Sequence, residues 1–338
     1  MTAATALFLL VNGLTNGAIY ALLGLGIVLI YNVTRVINIA QGEFVMLGAL
    51  TAVGLSTGRA AGGLTLAVLA GAAWALVACL RRRLWAWLWL PVLGGAGLWW
   101  LLGALPAWHL PPLLAALVAA VTVAFVGAAL YRLTIEPVAG AGEVVFLIIT
   151  TGLYLGLQGL GLLFWGPGSF SFPSVHAGAI RAGGVRVSYQ SLLVLLATLL
   201  ILVLLWLFFE RTLFGKALRA AAMNRAGARL VGISPSRAGI VAFAISAGLS
   251  AVAGVLIAPV TYATYDMGLS LGLKGFVGAV VGGLAGYPGA VLGGLAVGVL
   301  EAFAAYSTSA YGEAIVYGLI IPILLLRVLV LRRKAAMP

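Results

Sequence analysis

The sequence predicts an all-α polytopic integral membrane protein. Hydrophobic residues make up 64% of the 338 residues, and the mean hydropathy is +1.19. Charged residues make up only 8%, whereas a soluble domain has about 25%. Gly accounts for 46 residues, and small residues let membrane helices approach one another closely. We therefore expect residues 1–338 to form a single transmembrane domain.

Apolar segments follow one another along the whole chain. A membrane span needs about 20 apolar residues. The predicted segments are 6–31, 39–57, 63–80, 84–105, 112–132, 143–165, 188–209, 236–258, 270–286, 288–306 and 312–331. The segment 84–105 is interrupted by Pro91, and the segment 270–286 is short and Gly-rich. We therefore expect about 8–11 transmembrane or re-entrant helices.

The stretch 211–237, hereafter the basic loop, is the longest interval between apolar runs in the second half of the chain. It has no acidic residue and carries six positive charges, at Arg211, Lys216, Arg219, Arg225, Arg229 and Arg237. Lys and Arg near span ends stay in the cytoplasm. With the basic loop there, fifteen of the 19 Lys and Arg residues fall on the cytoplasmic side. This predicts an external N-terminus and a cytoplasmic C-terminus.

The basic loop is also predicted to have internal order. Ala, Leu, Met and Arg favour one helix over 216–231, and Gly232 is suited to close it. Ser234 and Pro235 then resemble the N-cap and first residue of the next span. The loop either only fixes the topology or is a docking element for a cytoplasmic partner.

Polar residues recur in the first span at helical spacing. Asn12, Asn16 and Tyr20 are four residues apart and share one face, with Thr15 close by. These side chains either line a cavity or hydrogen-bond to neighbouring helices. Both interpretations place them away from lipid.

The start of the second span is also polar, with Asn38, Gln41 and Glu43 ahead of an apolar run. A carboxylate at the start of a helix is expected to satisfy free N–H groups and the positive helix end, and this is our interpretation of Glu43. Glu301, late in a later apolar run, is either a pathway carboxylate or a group satisfied by an adjacent helix end.

No catalytic or metal-binding motif is visible in the sequence. His109 and His176 fall in predicted external loops, and the single Cys79 excludes a disulfide within the chain. The Gly-rich run 275–298 lacks the Lys-Ser/Thr of a phosphate-binding loop, and its spacing favours close helix packing instead. We therefore expect neither a catalytic site nor a bound cofactor or metal.

The first and sixth spans are similar in sequence over 14–26 and 149–161, with Thr15 matching Thr150 and Gly17 matching Gly152. Because the predicted topology runs these spans in opposite directions, the match indicates an inverted repeat. The alternative is chance similarity between two Gly- and Leu-rich helices. In the repeat, the paired glycines would let the two spans approach closely beside Thr150 and Thr151.

Three blocks of the sequence, 12–49, 214–234 and 272–302, closely resemble the permeases of branched-chain amino-acid ABC transporters. The first begins NGLTNGAIYALLGLG, the second reads FGKALRAAAMNRAGARLVGIS, and the third is the Gly-rich block. The resemblance is to the shorter permease subunit of that family. One departure is Gln41, which stands where the family commonly has His.

The resemblance implies a multi-pass permease subunit of an ATP-driven importer in the bacterial inner membrane, working by alternating access. The implied partners are a second permease subunit, either different or identical, two cytoplasmic ATPase subunits and a periplasmic or lipid-anchored solute-binding protein. ATP and Mg²⁺ would be bound by the ATPase subunits. The positive charge is accounted for by the cytoplasmic loops, so no nucleic-acid partner is expected.

The residues expected to line the substrate pathway are Asn12, Thr15, Asn16, Tyr20, Asn38, Gln41, Thr150 and Thr151. Those expected to couple the chain to the ATPase are Gly215, Arg219, Asn224, Arg225, Arg229 and Gly232. The solute implied is a branched-chain or related amino acid, and the alternative within the family is urea or a short amide. A passive channel would not need an ordered basic loop, and a membrane enzyme would need a catalytic cluster.

Overall fold

The computed structural model describes residues 2–58, 62–81, 109–174, 178–182, 185–284, 286–307 and 312–318, with 321, 322 and 325. The predicted span 84–105 and most of the last predicted segment beyond 318 lie outside these residues. Within them, the prediction of an all-α polytopic membrane protein is confirmed, since eight helical segments are long and apolar enough to cross a membrane.

Twelve α-helices are described. They are α1 Ala3–Thr34, α2 Glu43–Thr57, α3 Gly62–Arg81, α4 Pro112–Leu130, α5 Glu143–Trp165, α6 Tyr189–Arg211, α7 Leu213–Met223, α8 Arg225–Leu230, α9 Pro235–Thr261, α10 Met267–Gly282, α11 Tyr287–Ser307 and α12 Gly312–Gly318. Short turns of 3₁₀ or π helix occupy Ile39–Gly42, Tyr131–Ile135 and Glu136–Val138. Strands β1 Ala179–Ala182 and β2 Val185–Ser188 form an antiparallel hairpin.

Helix α1 lies in the core of the described bundle and is buried continuously from Gly17 to Ile30. It packs against α11, and a Cβ added at Gly17 would lie 2.8 Å from the Cα of Leu295. Helices α10 and α11 approach equally closely, since a Cβ at Gly278 would lie 2.8 Å from the Cα of Gly294. The close packing predicted for the Gly-rich run is therefore confirmed.

The predicted approach of the first and sixth spans through their glycines is wrong. Gly17 faces α11, as described above, and a Cβ added at Gly152 in α5 would meet no described atom within 4 Å. Gly152 lies on an open face of α5, so the sequence match does not bring the two spans together at this position.

A different pair of segments has the arrangement of an inverted repeat. Helices α1 and α9 each end at a residue with positive φ, Arg35 at 59° and Tyr262 at 64°. Each is followed by a short connection and a short helix, α2 or α10. The sequences also match, VLIYNVT at 28–34 against VLIAPVT at 255–261.

Helices α1 and α9 run in opposite directions. Leu29 and Val33 cluster with Ala238 and Ala242 near the start of α9, whereas Ile19 clusters with residues near its end, including Leu256. We call 3–57, with α1 and α2, the first half of the repeat and 235–282, with α9 and α10, the second half; their leading helices run in opposite directions, as in the inverted repeats of many transporters.

The two short helices meet at their N-terminal ends. Helix α2 has 15 residues and α10 has 16, so each is about 22–24 Å long, shorter than the ~30 Å hydrocarbon core. A Cβ added at Gly42 would overlap the carbonyl oxygen of Gly268. The helix starts therefore meet inside the bundle. Helix α10 is too short for a full crossing, whereas α2 together with the preceding turn at 39–42 is one of the eight candidate spans.

The basic loop folds differently from the prediction of one helix. Asn224 leaves the helical conformation at φ −149° and ψ 104°, and its Oδ1 accepts a hydrogen bond from the Gly227 amide at 3.0 Å. It therefore ends α7 and caps α8. The later signals are confirmed: Gly232 has φ 82°, and the Ser234 side chain caps α9, which begins at Pro235.

Candidate functional site

The connection between α1 and α2 buries three polar side chains. Asn38, Gln41 and Glu43 are 4%, 1% and 1% exposed. Polar and ionisable groups are costly inside a membrane, so a cluster of them marks a candidate functional site. We call Asn38, Gln41, Ser246 and Ser250 the amide cluster.

Gln41 joins this connection to helix α9. Its Nε2 donates to the Ser246 carbonyl at 3.3 Å and lies 2.5 Å from the Ser250 Oγ. Helix α1 leaves room for it at Gly26, where an added Cβ would lie 2.7 Å from the same Nε2. Gln41 thus links the two halves of the inverted repeat.

Among the described residues, only one of the two polar side-chain atoms of Asn38 has a hydrogen-bond partner. Its Nδ2 donates to the Gln41 Oε1 at 3.4 Å, while its Oδ1 is buried without a hydrogen-bond partner among the described residues. Buried carbonyl groups normally find a donor. Asn38 therefore carries a buried acceptor that no described residue satisfies.

A cavity of about 310 Å³ opens beside the amide cluster. Its size is at the lower end of the range for ligand pockets, about 300–1,000 Å³. Its polar side chains are Asn38 and Gln41, and its apolar ones include Ile27, Leu147, Leu269, Leu273 and Phe276. The cavity therefore combines an apolar wall with two amides, which suits a small solute having both kinds of surface.

The other predicted pathway residues are dispersed. Thr150 is fully buried, and its Oγ1 lies 3.5 Å from the Ile37 carbonyl, next to the connection. Thr151 is only partly buried. In α1, Thr15 bonds to the Val11 carbonyl of its own helix at 2.8 Å. The remaining members of the α1 face are Asn12, which is exposed, Asn16, which is partly buried, and Tyr20.

Tyr20 belongs to a separate ionic network. Its hydroxyl donates to Glu301 Oε2 at 2.5 Å, and Lys274 Nζ lies 2.7 Å from Glu301 Oε1 and 3.1 Å from Glu313 Oε1. The partners of Glu301 are therefore side chains of α1 and α10, and neither a helix end nor an open pathway is needed to explain it. Lys274 was missed by sequence reasoning, although a lysine inside an apolar run needs a carboxylate.

Glu43 begins α2, as predicted, but the expected bonding to free N–H groups is wrong. Neither carboxylate oxygen has a hydrogen-bond partner among the described residues. The carboxyl group instead lies against Gly268, where an added Cβ would overlap Oε1. The first turn of α10 occupies the position in which a solvating group would otherwise stand.

Two arginines of the basic loop bond to the chain itself. Arg219 reaches Glu210 Oε1 at 2.5 Å and the Phe209 carbonyl at 2.7 Å. Arg225 donates from Nε to the Val33 carbonyl at 3.0 Å, and its partial burial lowers the pKa of the guanidinium. These side chains fasten the loop to α6 and α1. Their predicted contact with an ATPase stays a prediction.

The surface of the basic loop is largely apolar. Gly215 is buried against the backbone of Phe208, so its role is to bring α7 close to α6. The large apolar side chains that α7 and α8 expose, hereafter the apolar patch, are Leu213, Phe214, Met223, Leu230 and Val231, each at least 70% exposed. Lys216, Arg229 and Arg237 are exposed among them. Exposed large apolar side chains interspersed with cations are a feature of many protein-binding surfaces.

Comparison with known proteins gives a consistent result. A family model described as "Branched-chain amino acid transport system / permease component" matches residues 9–85 and 90–325. No solved structure has a significant match.

Individual relatives match over nearly their full length. The chain is 31% identical over 326 residues to the high-affinity branched-chain amino acid transport system permease protein BraD of Pseudomonas aeruginosa, covering 94% of this chain and 92% of the relative. It is 28% identical over 323 residues to the corresponding protein LivH of Escherichia coli K12, covering 93% and 91%. The LivH protein of Salmonella typhimurium gives the same identity and coverage.

Proposed function

The chain belongs to the family of branched-chain amino acid transport permeases, and we propose that it is the membrane-spanning subunit of an ATP-driven importer for branched-chain or related amino acids. The observation that carries this proposal is the cavity beside the amide cluster. It lies where the two halves of the repeat meet, and inverted-repeat transporters bind their solutes at that interface.

Alternating access is proposed as the mechanism. The helix starts of α2 and α10 contact each other through Gly42 and Gly268, and Gln41 bonds across to α9. Among the described residues, Gln41 makes the side-chain hydrogen bonds from the first connection to α9. Rocking of one half against the other would open the cavity first to one side of the membrane and then to the other.

The proposed partners are a second permease subunit, two cytoplasmic ATPase subunits and a solute-binding protein. The apolar patch suits a groove on an ATPase subunit, because exposed apolar side chains supply affinity and the surrounding cations aid encounter and register. Helix α6 exposes Leu200 and Trp206 to 59% each, which suits lipid or the second permease. In this assembly the basic loop and C-terminus are cytoplasmic, and the N-terminus is external.

Uptake by the reconstituted complex tests the proposed function. Proteoliposomes containing this chain, its ATPase and permease partners and the binding protein should accumulate labelled leucine, isoleucine or valine only when ATP is supplied to the ATPase side. Uptake of urea or acetamide without any of these amino acids would support the alternative solute. Uptake that is independent of ATP would contradict an ATP-driven importer and indicate a channel.

Docking is tested with paired substitutions in the apolar patch. Phe214 and Leu230 are 70% and 90% exposed, so Phe214→Ala with Leu230→Ala leaves the fold intact while removing contact area. We expect ATPase retention and solute-stimulated hydrolysis to fall by about tenfold or more. The matched control is Leu200→Ala, an exposed leucine away from the loop. Unchanged coupling in the double variant would exclude docking through this surface.

The orientation is tested by cysteine labelling in a Cys79→Ala background. Met223 and Ser174 are both exposed. Met223→Cys should react with an impermeant maleimide only from the cytoplasm, and Ser174→Cys only from outside. Reaction of both from the same side would overturn the proposed topology.

A further inference from the structure

A second cavity, of about 630 Å³, lies between α1, α6 and α11 and shares no lining residue with the cavity beside the amide cluster. Its floor includes Leu25, Phe209 and Leu249, each at most 8% exposed. Its rim includes Trp206 of α6 and Leu292 of α11, which are 59% and 68% exposed. The cavity is therefore a deep apolar recess that opens between exposed side chains of two helices.

The charged groups of the recess lie together at one end. Among its described lining residues these are Glu210 and Arg219, whose Oε1 and Nη1 atoms are 2.5 Å apart. Arg219 also donates from Nη2 to the Phe209 carbonyl at 2.7 Å. A guanidinium has five N–H groups, so three of them have no hydrogen-bond partner among the described residues. Because the Arg219 side chain is 38% exposed, these donors can be reached from outside.

This end of the recess has a net positive charge. Arg211 and Lys216 are exposed and lie close enough to Glu210 for their charges to act on its carboxylate. Together with Arg219, three cations therefore surround one carboxylate. Basic pockets between membrane helices at the cytoplasmic side are a typical binding place for anionic lipid headgroups.

The length of the recess fits one leaflet of a bilayer. From Leu202 to Glu210, which both line it, α6 rises by about 12 Å. This is less than half of the ~30 Å hydrocarbon core. In the proposed orientation the Glu210 end lies at the cytoplasmic surface, at the depth of the headgroups, and the apolar end lies among the acyl chains.

We propose that this recess binds an anionic phospholipid of the cytoplasmic leaflet, with its phosphate at Arg219 and one acyl chain between α6 and α11. The inference goes beyond the proposed function and does not depend on the solute that is carried. The C-terminal stretch 319–338 is also apolar, but it would bring like charges to Arg219. It has no acidic residue and carries Arg327, Arg332, Arg333 and Lys334.

Lipid binding to the purified permease–ATPase complex tests the headgroup contact. The complex in detergent is titrated with phosphatidylglycerol or with phosphatidylcholine carrying the same acyl chains, and bound lipid is counted by native mass spectrometry. The wild-type complex should bind the anionic lipid about fivefold more tightly or better, which is the effect of one basic residue near a membrane surface. Arg219→Gln should remove most of this preference.

A matched control separates this contact from the general charge of the basic loop. Arg237 is an exposed cation of the same loop that does not line the recess. Arg237→Gln removes the same charge and should keep the preference for phosphatidylglycerol. A preference that falls equally in both variants would overturn the assignment of the phosphate to Arg219.

The acyl-chain contact is tested by filling the recess. Val291 lines it, so Val291→Trp should weaken the binding of both lipids to a similar extent. Leu200→Trp, at an exposed position of α6 outside the recess, should change neither. Glycerol 3-phosphate, which has the phosphate without acyl chains, should not displace phosphatidylglycerol, and displacement would indicate an anion site instead of a lipid site.

The remaining outcomes identify other occupants. If Val291→Trp leaves lipid binding unchanged and separates the two permease subunits in gel filtration, the recess is a subunit interface and the inference is overturned. Equal binding of both lipids by the wild-type complex also overturns it. Since none of these measurements is of transport, a failure here leaves the proposed importer function as it stands.

Discussion

After Arg35, in the first half of the inverted repeat, the chain buries two amides, and one of their oxygens has no donor in the described part of the chain. After Tyr262, in the second half, it enters α10 and buries Lys274 against Glu301 at 2.7 Å. The backbone plan is shared, but the first half buries uncharged amides, one of which has an unsatisfied oxygen among the described residues. The second half has an ion pair that is stable only while both members remain together. The two halves therefore share a backbone arrangement but differ in the polar side chains that they bury: amides in the first half and an ion pair in the second.

The largest effect is expected from breaking the ion pair of the second half. Lys274→Met would leave Glu301 buried beside the Tyr20 hydroxyl without its closest cation, which costs about 3–5 kcal/mol. The thermal unfolding temperature of the purified complex should fall sharply. Removing both charges, with Lys274→Met and Glu301→Leu together, should restore most of the lost unfolding temperature. A single variant as stable as the wild type would show that the pair does not anchor the second half.

An intermediate effect is expected where the two halves meet. Gly42→Ala would place a methyl group against the Gly268 carbonyl, and overpacking of this kind costs about 1–3 kcal/mol. The matched control is Gly152→Ala, which has open space around it and should gain up to about 1 kcal/mol from helix propensity. Thermal unfolding of both variants measures the difference. Equal stabilities would mean that the helix starts do not touch as described.

The smallest effect is expected from Glu43→Gln in the first half. No described cation pairs with this carboxyl group, and neither of its oxygens accepts a hydrogen bond. An isosteric neutral replacement should therefore change stability by about 1 kcal/mol or less and leave leucine uptake near the wild-type level at matched abundance. A loss of stability as large as that of Lys274→Met would show that the charge of Glu43 is needed. Both halves would then depend on a buried charge.

Features set by local chemistry could be predicted from the sequence. Ser234 and Pro235 begin α9, and the Gly-rich run packs closely, because caps and small residues act on their immediate surroundings. Asn38 and Gln41 were recognised as polar residues at a span entrance. Asn224 shows the limit of this reasoning: its side chain competes with the helix for a backbone amide, and helix propensity summed over the loop hides that competition.

Features that depend on distant residues were not predicted. Lys274 and Glu301 lie on different helices, and only the packing of α10 on α11 brings them together. The close approach of Gly17 and Gly152 was wrongly predicted because sequence similarity does not show which face of a helix a glycine lies on. The informative match was VLIYNVT with VLIAPVT, which sits at the ends of two helices where the chain must turn. Burial then separated Asn38, which faces a cavity, from Asn12, which is exposed.

The bond from Arg225 to the Val33 carbonyl makes the last turn of α1 a mechanical link. Val33 precedes Asn38 by five residues in the sequence, and the intervening connection contains no full helical turn that could absorb strain. A force that pulls α8 away from the bundle would act on this carbonyl first and on the amide cluster next. The path from the exposed surface of the loop to the buried amides is therefore short, since it runs through one hydrogen bond and a few residues of backbone.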